Sequence, residues 1–321
     1  MVIEFLILLL GFAILIKGAD FLVSGAASIA KGFQISNLAI GLTVVAFGTS
    51  TPELLVNIMS ASRGLNDAAF GNIIGSNNFN LLFILGVAGI LYPLSVQRNT
   101  VKIEIPVSLA AAVITFILVN DVLIFGKDAN VLTRADAAIL LIFFAAFMLY
   151  IFKTMKNTEV GTEEEIKIYG KGRSWFYVLI GLAMLVGGGN LVVENAVAIA
   201  KQFGWSEKLI GLTILAAGTS LPELATSAVA AFKKNTDIAI GNVVGSNIFN
   251  FLFILGVTGM VSENSYNATL NTDMYVLFVA TIVLIISMFT LKKRQLDRWE
   301  AAVLLGGYIV YTVYLIRIDQ V

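Results

Sequence analysis

Apolar runs near the length of a bilayer crossing recur from one end of the chain to the other, separated by short polar clusters. The pattern predicts ten helices, over roughly residues 2–31, 37–62, 68–92, 104–120, 134–153, 174–202, 208–232, 237–261, 273–291 and 299–317. The first and sixth exceed the roughly 20 residues needed to cross, so they are expected to be strongly tilted or bent. The first apolar run, Val2 to Ile16, has no basic residue ahead of it and Lys17 behind it. A cleaved signal peptide has the opposite polarity, so this run reads as a retained helix. The fold class is an all-α polytopic membrane protein.

Composition agrees. Of 321 residues, 58 % are hydrophobic and 13 % charged, with a mean hydropathy of +0.89. A soluble domain carries about a quarter charged residues, so this chain cannot cover itself with a polar surface. Its formal net charge is zero and neither end is strongly charged, which points to membrane lipid and not nucleic acid as the surrounding partner; no obligate protein partner is evident. It has no cysteine and no histidine, which excludes disulfides, thiolate and imidazole metal sites, and histidine proton relays. Lysine and arginine orient the helices. With the N-terminus outside, fourteen fall in cytoplasmic connections and six in outer ones, so both termini are expected outside the cytoplasm. The polar segment 154–173, with its "TEEEIK", then lies in the cytoplasm as a solvated linker.

A constant offset of 170 residues superimposes the halves. "GLTVVAFGTSTPEL" (41–54) meets "GLTILAAGTSLPEL" (211–224), and "GNIIGSNNFNLLFILGVAG" (71–89) meets "GNVVGSNIFNFLFILGVTG" (241–259). Residues 1–153 and 174–321 are thus two repeats of five helices. An odd number makes the second cross in the opposite sense, the inverted-topology arrangement of many secondary transporters, whose sites lie near the midplane between repeats.

Identity between the halves is strongest at polar residues within membrane helices. Pro52 has no amide hydrogen, so the Gly48 carbonyl loses its partner four residues on. Thr49 and Ser50 adjoin that break, and Glu53 shares a face with Ser50 and Asn57. Gly218, Thr219, Ser220, Pro222, Glu223 and Ser227 repeat the pattern, so two of the chain's four prolines directly precede these glutamates. On the third helix Asn72, Ser76 and Asn80 form a polar stripe, as do Asn242, Ser246 and Asn250 on the eighth. Gly71, Gly75, Gly241 and Gly245 would let a neighbouring backbone approach closely. Two carboxylates, hydroxyls, amide oxygens and freed carbonyls are all hard oxygen donors. Calcium accepts six to eight such oxygens in flexible geometry, and two glutamates neutralise it. Sodium takes the same ligands, so occupancy by one ion excludes the other, the physical basis of exchange. Asp20, Asn190 and Glu194, on the long helices, read as packing or interfacial residues.

"GTSTPE" with "GNIIGSNNFN", echoed as "GTSLPE" with "GNVVGSNIFN", closely resembles the paired alpha-repeats of the calcium/cation antiporter superfamily, nearest to its prokaryotic sodium/calcium exchangers. The resemblance covers essentially the whole chain. It implies no cofactor beyond the transported ions, and a multi-pass protein of the cell (inner) membrane. It implies a calcium shell from Glu53, Glu223 and the backbone oxygens of Thr49 and Thr219. Sodium sites would use Ser50, Ser76, Ser220, Ser246 and the carbonyls of Ala46 and Ala216, with Asn80 and Asn250 completing the middle. Sliding of the two long helices past a fixed core would alternate access.

Asn250 stands where many sodium/calcium exchangers carry an aspartate, so the core has two clear carboxylates and not three. That difference bears on how many sodium ions exchange for one calcium, and it argues against potassium dependence. The alternative within the superfamily is a proton/calcium exchanger using the same glutamates, whose members typically show GNxxE where this chain has GTSxPE. A calcium-permeable channel would need a continuous pore, commonly lined by rings of charge from symmetric subunits. An intramembrane enzyme would need more than two carboxylates, and the chain has no nucleophile–histidine pair.

Overall fold

The structure is a computed structural model and describes residues 2–154, 169–203, 216–290 and 293–318. Most of the expected linker (155–168), the expected start of the seventh helix (208–215) and residue 291 lie outside the described residues. The chain forms α1 (Val2–Phe33), α2 (Asn37–Thr49), α3 (Thr51–Ser62), α4 (Asn66–Leu91), α5 (Thr100–Val119), α6 (Asp121–Phe125) and α7 (Arg134–Thr154). It continues with α8 (Lys171–Gln202), α9 (Ala216–Gly218), α10 (Leu221–Phe232), α11 (Thr236–Val261), α12 (Ala268–Ser287) and α13 (Arg298–Ile318). Eight of these are long and apolar enough to cross a membrane, and the bent pair α2–α3 makes a ninth candidate among the described residues. The protein is a multi-pass, helical membrane protein.

Helix ends depart from the sequence pattern where chemistry beyond hydropathy sets them. The polar run Thr100–Glu104 belongs to α5 as a wide π-type turn ahead of Pro106, so that helix starts four residues earlier than its apolar residues suggest. Ser36 caps α2 by accepting the Ala39 amide at 3.1 Å, as expected of a serine before an apolar run. Two antiparallel ladders are an addition to the all-α expectation. β1 (Leu94–Ser95) pairs with β4 (Gln295–Leu296), and β2 (Val131–Leu132) with β3 (Asn264–Ser265). Each is two residues long, too short to leave a period-2 pattern in the sequence. In a loop beside α6, Lys127 meets Asp121 at 2.6 Å, and that hydrogen bond holds the ammonium above its ordinary range.

The stripe-bearing α4 and α11, with their polar residues, are the most buried of the membrane-length helices, whereas α7 and α13 turn most of their surface outward. This inverts the soluble-protein order, as lipid requires. The two long helices, α1 and α8, are each a single helix of 32 residues. They pack antiparallel through a glycine seam with seven-residue spacing, Gly11, Gly18 and Gly25 facing Gly188, Gly181 and Ser174. A Cβ on Gly181 would stand 2.7 Å from the Leu22 amide nitrogen, and one on Gly188 2.9 Å from that of Leu15. α11 makes a similar approach to α2, since a Cβ on Gly241 would lie 3.0 Å from the Leu38 carbonyl. Gly71 and Gly75 meet nothing within 4 Å among the described residues.

Because backbone and not a flexible side chain fills the space opposite Gly181, Gly181→Val is expected to lower stability by about 1–3 kcal/mol or more. Thermal unfolding of the purified protein measures this, and an unchanged midpoint would contradict the close packing.

Candidate cation site

The centre of the site begins with two backbone breaks. α2 and α3 meet at 46°, with Ser50 between them at φ −84°, ψ 9°. Ser220, between α9 and α10, has nearly the same conformation, φ −91°, ψ 8°. Each break is followed by proline at the start of the next helix, where the missing amide costs nothing, and then by glutamate in the first turn. Glu53 and Glu223 therefore sit at helix N-termini, where the dipole favours negative charge. Both are 1 % exposed.

The hydrogen bonds of these residues cross between the halves. Ser50 Oγ donates to Glu223 Oε1 at 2.9 Å and meets Ser246 Oγ at 3.0 Å. Ser220 Oγ donates to Glu53 Oε1 at 3.1 Å and meets Ser76 Oγ at 3.0 Å. Thr49 Oγ1 donates to Asn242 Oδ1 at 3.0 Å, and Thr219 Oγ1 to Asn72 Oδ1 at 3.2 Å. Asn80 Nδ2 donates to Asn247 Oδ1 at 3.0 Å, and Asn250 Nδ2 to Asn77 Oδ1 at 2.8 Å. Each of these crossing bonds has a counterpart displaced by 170 residues, so a pseudo-twofold relates the two halves of this cluster. Within the second half Asn242 also donates to the Glu223 carbonyl and to Ser227, and Ser246 to Glu223 Oε1 at 3.5 Å.

The same pairing leaves four buried oxygens without a hydrogen-bond partner: Oε2 of Glu53, Oε2 of Glu223, Oδ1 of Asn80 and Oδ1 of Asn250. Buried acceptors without donors are costly. No lysine or arginine forms an ion pair with either glutamate among the described residues. Two carboxylate and two amide oxygens with no protein donor form a donor set suited to a hard cation. The Ala46 carbonyl is different, since it accepts from the Ser50 amide at 3.0 Å and from Thr49 Oγ1 at 3.3 Å within its own segment. In the second half the Ser220 amide turns instead to the Ala217 carbonyl at 3.2 Å, leaving Ala216 at the head of α9.

Glu53, Glu223, Ser50, Ser220, Ser76, Ser246, Asn80, Asn250 and Thr49 are all buried together, with Thr219 half-buried beside them. Asn77 and Asn247 join the cluster although the four-residue stripe passes them by. Their signal was present in the sequence, as the asparagine after the serine in both "GSNNFN" and "GSNIFN".

A cavity of about 410 Å³ runs from Asn72 and Thr219 past Pro52 and Pro222 to Val56 and to Asn190 on α8. The counterparts in the other half are closed: Val56 is 38 % exposed but Thr226 is not exposed at all, and Asn242 and Thr49 are likewise buried where Asn72 and Thr219 are not. Over the closed counterpart, Lys233 at the end of α10 pairs with Asp20 of α1, which also holds Lys17 at 2.7 Å. Asp20 is offset by 170 from Asn190.

Comparison with known proteins agrees with this architecture. The profile of the sodium/calcium exchanger protein family matches residues 3–153 and 173–317. CaxA of Alkalimonas amylolytica, described as an antiporter, is 37 % identical over 90 % of this chain and 91 % of its own. The sodium/calcium exchanger MaX1 of Methanosarcina acetivorans is 31 % identical over 98 % of this chain and 99 % of its own. A solved structure of the sodium-calcium exchanger NCX_Mj, soaked with zero Na+ and Ca2+, superimposes with a TM-score of 0.81 at 32 % identity, covering 98 % of this chain and all of that one. A broken-helix core of this kind, covered end to end by the family profile, makes the chain a member of the sodium/calcium exchanger protein family. The family and its solved structures are transporters.

The one-sided cavity sets a test that exploits the absence of native cysteine. A water-soluble maleimide is expected to label Val56→Cys readily and Thr226→Cys slowly in the purified protein. Equal labelling would remove the asymmetry.

Proposed function

We propose that the chain is a secondary antiporter that exchanges sodium for calcium across the cell membrane. Ten helices form two inverted five-helix repeats, 1–153 and 174–321, joined by the cytoplasmic linker 154–173, with both termini outside the cytoplasm. The observation that carries this reading is the crossed pair Ser50–Glu223 and Ser220–Glu53, beside which one oxygen of each glutamate and of Asn80 and Asn250 is buried without a hydrogen-bond partner. Two carboxylates match one calcium ion in charge. Sodium ions use the same oxygens and the hydroxyls of Ser50, Ser76, Ser220 and Ser246, so the two cations compete for one set of ligands. The backbone oxygens of Thr49 and Thr219 complete the calcium shell.

Exchange needs the site to meet one face of the membrane at a time. The cavity beside Asn72 and Thr219, against the closed counterpart beside Asn242 and Thr49, supports such alternation. Without a cation, two anionic groups would face each other away from water, which is costly in a medium of low polarity. Movement between the faces is therefore favoured when the site is loaded, and that condition couples one ion to the other. The orientation set by the positive-inside bias puts the open cavity on the outer face.

Sodium-loaded proteoliposomes diluted into sodium-free, calcium-bearing buffer, at clamped voltage and symmetric pH, test the proposal. Sodium-dependent calcium uptake is expected, and Glu53→Gln/Glu223→Gln should abolish it while the protein stays folded. Uptake indifferent to sodium but driven by a proton gradient would move the chain to proton/calcium exchange through the same glutamates.

A further inference from the structure

An asparagine amide offers an oxygen on one side and an NH2 group on the other, and a half-turn exchanges them. Only the oxygen can face a cation. What fixes the amides of Asn80 and Asn250 is a hydrogen-bonded chain of four asparagines, each at most 2 % exposed. Asn77 Nδ2 donates to the backbone carbonyl of Asn247, and Asn247 Nδ2 to that of Asn77, both at 3.4 Å. A backbone carbonyl only accepts, so the NH2 groups of Asn77 and Asn247 must point to it and their oxygens must point away. Those oxygens accept from Asn250 Nδ2 at 2.8 Å and from Asn80 Nδ2 at 3.0 Å. With its NH2 group occupied, each of these two amides leaves its oxygen buried and unpartnered. The polarity of the whole chain follows from two backbone atoms that cannot reverse.

We propose that Asn77 and Asn247 are positioning residues, which set calcium affinity by holding the side-chain oxygens of Asn250 and Asn80 toward the ion. The inference rests on the cation-exchange reading of the site. The orienting is reciprocal and crosses the pseudo-twofold: Asn77 of α4 aims Asn250 of α11, and Asn247 of α11 aims Asn80 of α4. Each repeat supplies an amide oxygen that the other repeat directs.

A carboxylate presents oxygen on both sides and needs no such direction. This gives a test that separates positioning from mere structural support. Calcium binding to the full-length protein in detergent is measured by titration calorimetry, with thermal unfolding in parallel. Asn77→Leu, close to asparagine in size, frees the Asn250 amide to turn its NH2 group inward, and is expected to weaken calcium binding about tenfold, the worth of one good ligand contact. Adding Asn250→Asp should recover most of that loss, whereas Asn80→Asp should recover little. For Asn247→Leu the pattern should reverse, with Asn80→Asp the effective partner. A general gain from added negative charge would help both backgrounds alike, so the crossed specificity is the decisive readout. Should Asn77→Leu fail to fold, Asn77→Ser, whose hydroxyl falls short of the Asn250 amide, enters the same cycle.

Unchanged affinity in Asn77→Leu, or equal recovery with either aspartate substitution, would overturn the positioning role and leave the exchange reading intact. A wild-type protein that binds no calcium would overturn both.

Discussion

Two serine hydroxyls, each leaving its own half to meet a glutamate of the other, organise the centre of this protein. A carboxylate placed among apolar helices must find donors, and the chain supplies them across the interface between repeats and not along one helix. Glu53 is held by Ser220 and Glu223 by Ser50, so each buried acid takes its shortest side-chain hydrogen bond from the other half. The helix breaks, the serine–serine contacts to Ser76 and Ser246, and the placement of the most buried helices at the interior all follow from keeping these crossed bonds short.

The arrangement also explains why polar residues concentrate in the most enclosed helices. Lipid offers nothing to an amide or a hydroxyl, so such groups face one another inside, while α7 and α13 are the least buried of the membrane-length helices. Glycine seams bring α1 to α8 and α11 to α2 closely enough for short side chains to span the remaining distance. The two ladders at the ends of the molecule join loops from opposite halves in the same crossed manner, β1 of the first with β4 of the second.

Much of this was legible in the sequence. The offset of 170 residues, the proline–glutamate pairs and the polar stripes named nearly every residue that the structure gathers at the centre. Spacing along a helix shows which side chains share a face; it does not show which face they meet. That Ser50 reaches Glu223 and not the Glu53 one turn along its own chain is a tertiary fact. Asn77 and Asn247 lie off the four-residue stripe, and only their contact across the interface gives them a role. The early start of α5 was hidden because Thr100, Lys102 and Glu104 resemble a polar loop, and the ladders were hidden because two residues have no periodicity.

The near-equivalence of the crossed bonds carries an energetic corollary. Were the two halves identical in sequence, interchanging their shapes would return the same molecule turned over, with the same free energy. Any preference for one form must then reside in the positions where the halves disagree. Near the centre these include Thr51 against Leu221, Leu55 against Ala225, Val56 against Thr226, Asn57 against Ser227, Asn78 against Ile248, and, on the long helices, Asn190 against Asp20 with its ion pair to Lys233. In an exchanger that alternates between two such forms, the matched residues would make both possible and the mismatched ones would set which of them the resting protein adopts.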